Sequence, residues 1–269
     1  MNKFAKLLAT SLTCLSLINC GGGGEEGTKV VNELITVQSL GYNDAWDKAL
    51  VFKPYDPNPV RLKDLGYFPK SPVAISLHGC AGINPNPTVQ GENYFPIFLA
   101  MQGYLVIEPN SYYGLKENDP TYQACFTKTG SIISYNGANP TTRAKDLEYA
   151  IAMVKISSFW NGETLLVQGN SQGYFLTNYL SSAKTTGPTK WLLSGYGTCK
   201  TDYRFTHNNP TLIINSKNSP WNDVVSQECY DQITKVNPNI KIEVLEGDKH
   251  APVQDPIGYK IIKEWVRLK

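Results

Sequence analysis

The run Leu165-Leu166-Val167-Gln168-Gly169-Asn170-Ser171-Gln172-Gly173 joins an apolar stretch to a Gly-x-Ser-x-Gly segment. Tyr174, Phe175, Leu176, Tyr179 and Leu180 then follow at helical spacing. Strand, sharp turn and helix in that order can lift a serine hydroxyl clear of the backbone, because glycines at both flanks leave room that a Cβ would fill. A helix beginning at Gln172 would turn its unpaired N–H groups and positive dipole end toward negative charge forming beside Ser171. The chemistry this suits is nucleophilic attack by Ser171. The five-residue pattern alone is short enough to arise by chance in surface loops, and the flanking strand and helix signals give it weight.

A serine hydroxyl at neutral pH needs a base within hydrogen-bond reach, most often a histidine. The chain holds three. His250, in Leu245-Glu246-Gly247-Asp248-Lys249-His250-Ala251-Pro252, follows the last apolar run and precedes the final helical pattern, and it is the expected base. His207 precedes the run at Leu212, which assigns it to the opposite end of the strands as a solvated loop residue. His78 closes an apolar run in His78-Gly79-Cys80-Ala81-Gly82, where a structural role in a glycine-rich turn is expected rather than proton transfer. The carboxylate that orients His250 is expected to be Asp223, which follows the run 212–214 and makes the chain order Ser, Asp, His. Asp248 and Asp255 are rivals by proximity, but they share the loop of His250 or cap the next helix. An oxyanion needs two backbone donors, for which Gln172 and Cys80 are the candidates, with Ala81 as the alternative to Cys80.

Apolar runs that read as strands fall at 30–37, 49–52, 73–77, 104–107, 164–167, 191–193, 212–214 and 240–245. Between the later ones lie helical patterns. Leu147, Ala150, Ile151 and Val154 share one face behind the start signal Pro140-Thr141-Thr142, and Asp255-Pro256 opens a helix with Ile257, Ile261, Trp265 and Leu268 repeating along one side. Strands alternating with helices predict an α/β fold, a mostly parallel central sheet with helices on both faces and the first two strands as an antiparallel edge. Sites in such sheets lie beyond the strand C-termini, and each candidate above follows a strand.

Leu77-His78-Gly79-Cys80-Ala81-Gly82, Gly103-Tyr104 before a strand, Pro109-Asn110-Ser111-Tyr112, Cys125 and Gly169-x-Ser171-x-Gly173 together resemble the dienelactone hydrolase family of α/β-hydrolases, over roughly residue 73 to the C-terminus. The resemblance implies an α/β-hydrolase fold, Ser171, Asp223 and His250 as triad, and the Cys80 and Gln172 amides as oxyanion donors. Dienelactone hydrolases proper use a cysteine nucleophile, so Ser171 points to the serine-using relatives. Asn110 stands where relatives often carry Asp, and Tyr174 replaces a second glycine after Gly173. The long segment 110–140 carries Tyr112, Tyr113, Tyr122 and Tyr135. It reads either as an aromatic wall for substrate, with Tyr112 and Tyr113 foremost, or as a packed surface loop. The stretch 195–210 is too short for a large helical lid, so an open site is expected.

Residues 1–19 read as a signal peptide, with Lys3 and Lys6 before an apolar stretch. Leu17-Ile18-Asn19-Cys20 resembles a bacterial lipobox, with Asn19 in place of the usual small residue, and Cys20 is the expected lipidation site. Residues 20–29 form a glycine-rich tether, and 30–269 a single domain. Without the first 19 residues, two of the 25 Lys and Arg are lost and 23 remain against 23 Asp and Glu, which implies no nucleic-acid partner. Cys80, Cys125, Cys199 and Cys229 are then left in an oxidising compartment. Two disulfides are expected, with three possible pairings. A Cys80–Cys125 bond would staple the long segment to the oxyanion turn and leave Cys199 with Cys229. No C-x-x-C spacing occurs, and neither a metal nor a cofactor is expected.

The expected function is serine-dependent cleavage of carboxylic esters, small or polymeric, by a monomer held to the cell envelope through its N-terminal lipid alone. A serine peptidase of prolyl-oligopeptidase-like type, or a surface lipoprotein that keeps the fold only to bind, are the alternatives.

Overall fold

The computed structural model describes residues 43–79, 82–83, 94–111, 113, 140–171, 173, 187–195, 209–219, 227–236 and 238–268. Its strands are β1 (Leu50–Phe52), β2 (Val60–Arg61), β3 (Ser71–Leu77), β4 (Leu105–Glu108), β5 (Trp160–Asn170), β6 (Lys190–Ser194), β7 (Thr211–Ser216) and β8 (Ile240–Leu245). They form one sheet in the order β2-β1-β4-β3-β5-β6-β7-β8. Every pairing from β4 to β8 is parallel, and β1 runs antiparallel to both β2 and β4. The expected antiparallel edge is therefore present at residues 50–52, whose outer neighbour is the two-residue β2. The run 30–37 lies outside the described residues.

Five α-helices are described, beside short 3₁₀ helices at Leu62–Asp64 and Pro252–Gln254: α1 (Asp44–Asp47), α2 (Tyr94–Met101), α3 (Pro140–Ile156), α4 (Gln227–Val236) and α5 (Pro256–Val266). Alternation along the strands sorts them onto two faces. Val73, Ile75, Leu77, Leu105, Ile107, Leu165, Val167 and Trp191 meet Leu147, Ala150, Ile151 and Val154, the face of α3 expected from its spacing. The intervening residues Ala74, Val106, Leu166, Leu192, Leu212 and Ile214 pack on α2 and α5. Leu193, Ile213 and Ile240 form a smaller cluster against Ile233 of α4. Helices thus cover both faces.

The apolar stripe expected on α5 faces the core only in part. On α5 the completely buried residues are Ile262 and Val266, whereas Ile257 is 65% exposed. The reason is Gly258, where a Cβ would collide with the Pro252 carbonyl oxygen. The helix approaches the sheet most closely along Gly258, Ile262 and Val266, which turns Ile257 outward. Ile261, Trp265 and Leu268 of the expected stripe are partly buried against the core, and Ile257, Ile261 and Trp265 also wall an open groove of about 580 Å³ over Leu212 and Lys241. Ile262→Ala is therefore expected to lower unfolding stability by about 2–5 kcal/mol, and Ile257→Ala by less than about 0.5 kcal/mol, read from urea unfolding midpoints.

Candidate active site

The parallel registers Leu77↔Gly169, Asn170↔Ser194, Ser194↔Ile214 and Ser216↔Leu245 end β3, β5, β6, β7 and β8 at one edge of the sheet. His78, Ser171, Gly195, the turn 217–219 and the loop 246–250 all leave from that edge.

Ser171 follows β5 directly, is buried, and has φ of 56°. A non-glycine residue in the left-handed region is strained by an amount of order 1–3 kcal/mol, and such strain persists only where the surroundings over-determine it. Those surroundings are on both sides. The Ser171 N–H donates to the Ser194 carbonyl at 3.0 Å. Two residues on, Gly173 is helical and sits so close to the Leu77 carbonyl oxygen that a Cβ would collide with it. The cramped turn expected from the Gly-x-Ser-x-Gly segment is thus wedged against the end of β3. Below it, the buried Ser76 and Gln168 side chains meet at 2.6 Å across β3 and β5. The Gln168 orientation that satisfies both ends has its amide nitrogen donating to Ser76 Oγ and its oxygen accepting from the Asn170 N–H at 3.1 Å.

His78 has the structural role expected of it, and the structure supplies the partners. It is 2% exposed. Its Nδ1 lies 2.7 Å from the Gly79 carbonyl, which can only accept, so Nδ1 carries the proton. Nε2 then accepts from the Ser111 N–H at 3.2 Å. The ring is a neutral strut between the turn after β3 and the turn after β4, with both nitrogens engaged.

His250 is half-buried on the loop after β8, and burial pushes its pKa down from 6.5 to about 4. That loop is stitched to the end of β7 by Ser216 Oγ donating to the Lys249 carbonyl at 2.7 Å, by Lys217 N–H to the Leu245 carbonyl at 2.7 Å and by Asn218 N–H to the Gly247 carbonyl at 3.1 Å. The two rival carboxylates are occupied elsewhere. Asp248 is paired with Lys249 at 3.3 Å in solvent. Asp255 caps α5, accepting from the Ile257 and Gly258 N–H groups at 2.8 and 3.1 Å. Asp223, Cys80, Ala81, Gln172, Tyr112 and His207 lie outside the described residues, as do Cys20, Cys125 and Cys199; Cys229 falls within α4. Tyr113 is described: its ring is partly exposed at this edge, with the Lys48 ammonium 4.8 Å from its centroid. Among the described residues no three His, Cys, Asp or Glu side chains gather as a metal site requires.

The contribution of Gly195 is absent from the sequence reading. It follows β6 with φ of 75°, between Asn170 and the His250 carbonyl. A glycine closing an apolar run was the only signal available.

No protein-family model matches the sequence, and comparison with curated proteins yields no match. Solved structures do resemble it. A Klebsiella pneumoniae protein whose assignment as a dienelactone hydrolase is itself provisional superposes with a TM-score of 0.52 at 13% identity, covering 76% of this chain and 90% of its own. An esterase of Pyrococcus furiosus gives 0.52 at 15% identity, covering 73% of this chain and 80% of its own. An acylaminoacyl peptidase of Pyrococcus horikoshii gives 0.52 at 13% identity, covering 82% of this chain but 39% of its own. The fold is that of the α/β-hydrolases, and no large lid is present among the described residues.

Between about pH 6.5 and 4 an unfolded chain protonates His250 and the folded chain does not, so stability falls as pH drops through that window and is level above it. His250→Gln is expected to flatten this segment relative to the parent protein in unfolding midpoints measured across it. Asp255→Ala is expected to cost about 1 kcal/mol through loss of the helix cap, seen in the same unfolding assay.

Proposed function

We propose that this protein is a serine hydrolase of carboxylic esters. Ser171 Oγ attacks the ester carbonyl carbon while His250 takes its proton. The tetrahedral intermediate collapses to an acyl-enzyme as the alcohol leaves with that proton. Water, deprotonated by His250, then releases the acid and restores Ser171. Asp223 holds the imidazole and stabilises its charged form, and the Gln172 and Cys80 amides receive the oxyanion, each worth a few kcal/mol of barrier. The neutral His78 strut ties Gly79, just past the end of β3, to Ser111 after β4.

The observation that carries this reading is the backbone of Ser171: a serine at φ of 56°, between the end of β5 and a helical glycine pressed on the Leu77 carbonyl. Strain of that kind at the C-terminal ends of parallel strands has a reason to persist if it presents a nucleophile. The fold likeness to proteins named as an esterase and as a peptidase adds support for acyl transfer. Removal of residues 1–19 on export, lipidation at Cys20 and a glycine-rich tether to a monomeric domain belong to the same proposal, as do an open site for small or polymeric esters and a lining role for Tyr112 and Tyr113.

A p-nitrophenyl short-chain ester is expected to give a burst of nitrophenolate followed by slower turnover, and Ser171→Ala to abolish the burst and lower kcat by about 10³-fold or more. Asp223→Asn should lower kcat by up to about 10⁴-fold, whereas Asp248→Asn should leave it unchanged. Undiminished turnover by Ser171→Ala ends the proposal. Faster cleavage of a panel of peptide amides than of esters makes the protein a peptidase instead.

A further inference from the structure

Gly195, just past the end of β6, lies between the last residue of β5 and the His250 loop. A Cβ on this residue would overlap Asn170 Oδ1 and lie 2.7 Å from the His250 carbonyl oxygen, where ordinary contact begins at 3.4 Å. Asn170 is buried immediately before Ser171, and its Oδ1 accepts from Ser194 Oγ at 2.9 Å. The carbonyl of the same Ser194, which is wholly buried, accepts from the Ser171 N–H at 3.0 Å. Ser194 therefore grips the serine turn twice, once by side chain and once by backbone. Its successor fills the space between that turn and the His250 loop with backbone alone.

We propose that Asn170, Ser194 and Gly195 are positioning residues, a wedge that sets the separation and orientation of Ser171 relative to His250. This rests on the reading of those two residues as nucleophile and base. The physical argument is that neither side of the wedge can retreat. The Ser171 side is tied to Ser194 by two hydrogen bonds. The His250 side is tied to β7 through Ser216 and Lys249 and is followed by the buried Ala251 and Val253. A methyl group at residue 195 must therefore strain one of these ties: clearing the overlap with the His250 carbonyl takes about 0.3 Å and ordinary contact about 0.7 Å, and a displacement near 1 Å between reacting groups can cost about 10²-fold in rate. Loss of the Ser194 hydroxyl or the Asn170 amide would release the serine turn from the opposite side.

The test compares the full chain with Gly195→Ala, Ser194→Ala, Asn170→Ala and the Asn170→Ala/Ser194→Ala double variant. Thermal unfolding establishes that each is folded, kcat and KM are measured on p-nitrophenyl acetate, and a fluorophosphonate probe reads the reactivity of Ser171 directly. Gly195→Ala is expected to lower kcat and the labelling rate together by about 10²-fold with KM nearly unchanged. Ser194→Ala and Asn170→Ala are each expected to lower kcat about tenfold, and the double variant to be no worse than the more severe single, because the two act as one unit. Because an alanine at φ of 75° strains the backbone whatever surrounds it, the Asn170–Ser194 cycle decides the matter if Gly195→Ala does not fold. Wild-type kcat and labelling in the folded variants, losses confined to KM, or single losses that multiply in the double variant overturn the wedge. Absence of Ser171 labelling in the wild-type protein overturns the nucleophile reading beneath it.

Discussion

The approach of Gly173 to the Leu77 carbonyl is the constraint from which the rest of the site follows. It presses the first residues after β5 onto the end of β3, which leaves Ser171 no room for an ordinary backbone conformation and holds it at φ of 56°. The contact exists because β3 and β5 are parallel neighbours in register, Leu77 opposite Gly169. Parallel strands end together, so the same arrangement that crowds the serine also delivers His78 beside it and the His250 loop farther along the edge. A sheet of this kind concentrates its chain turns at one end, and chemistry collects where the turns are.

Around that constraint the molecule uses buried polar groups to fix backbone turns. Gln168 and Ser76 join the two central strands beneath the turn, and the His78 ring spans the ends of β3 and β4 with one nitrogen donating and the other accepting. Ser194 closes the far side. Buried polar groups carry a desolvation cost unless satisfied, and each of these has a partner at hydrogen-bond distance. Burial also lowers the His250 pKa from 6.5 to about 4, which favours the neutral imidazole.

Sequence and structure agree where periodicity was strong. Seven of the apolar runs read as strands lie on observed ones, because strands buried on both faces are continuously apolar, and α3 presents the face its spacing predicted. Elements without a period escaped. β2 has two residues and α1 four. In α2, Phe95, Pro96, Phe98, Leu99 and Ala100 are all buried, so no polar side marks its rotation. The outward turn of Ile257 escaped for a different reason. Its spacing suited the buried stripe, but the closest line of approach to the sheet was settled by the glycine beside it.

By itself the chain's sequence determined the class of fold, the strand and sharp turn that carry Ser171, the cap at Asp255 and the place of His78 at the end of β3, since these depend on residue type and near neighbours. Tertiary structure decided what spacing cannot encode: that Ser111 completes the His78 strut from 33 residues away, and that Gly195 separates the serine turn from the His250 loop. The reason is geometric. Local sequence limits the conformation of a turn, whereas the distance between two turns is set by which strands lie side by side and by how much space the residue between them leaves.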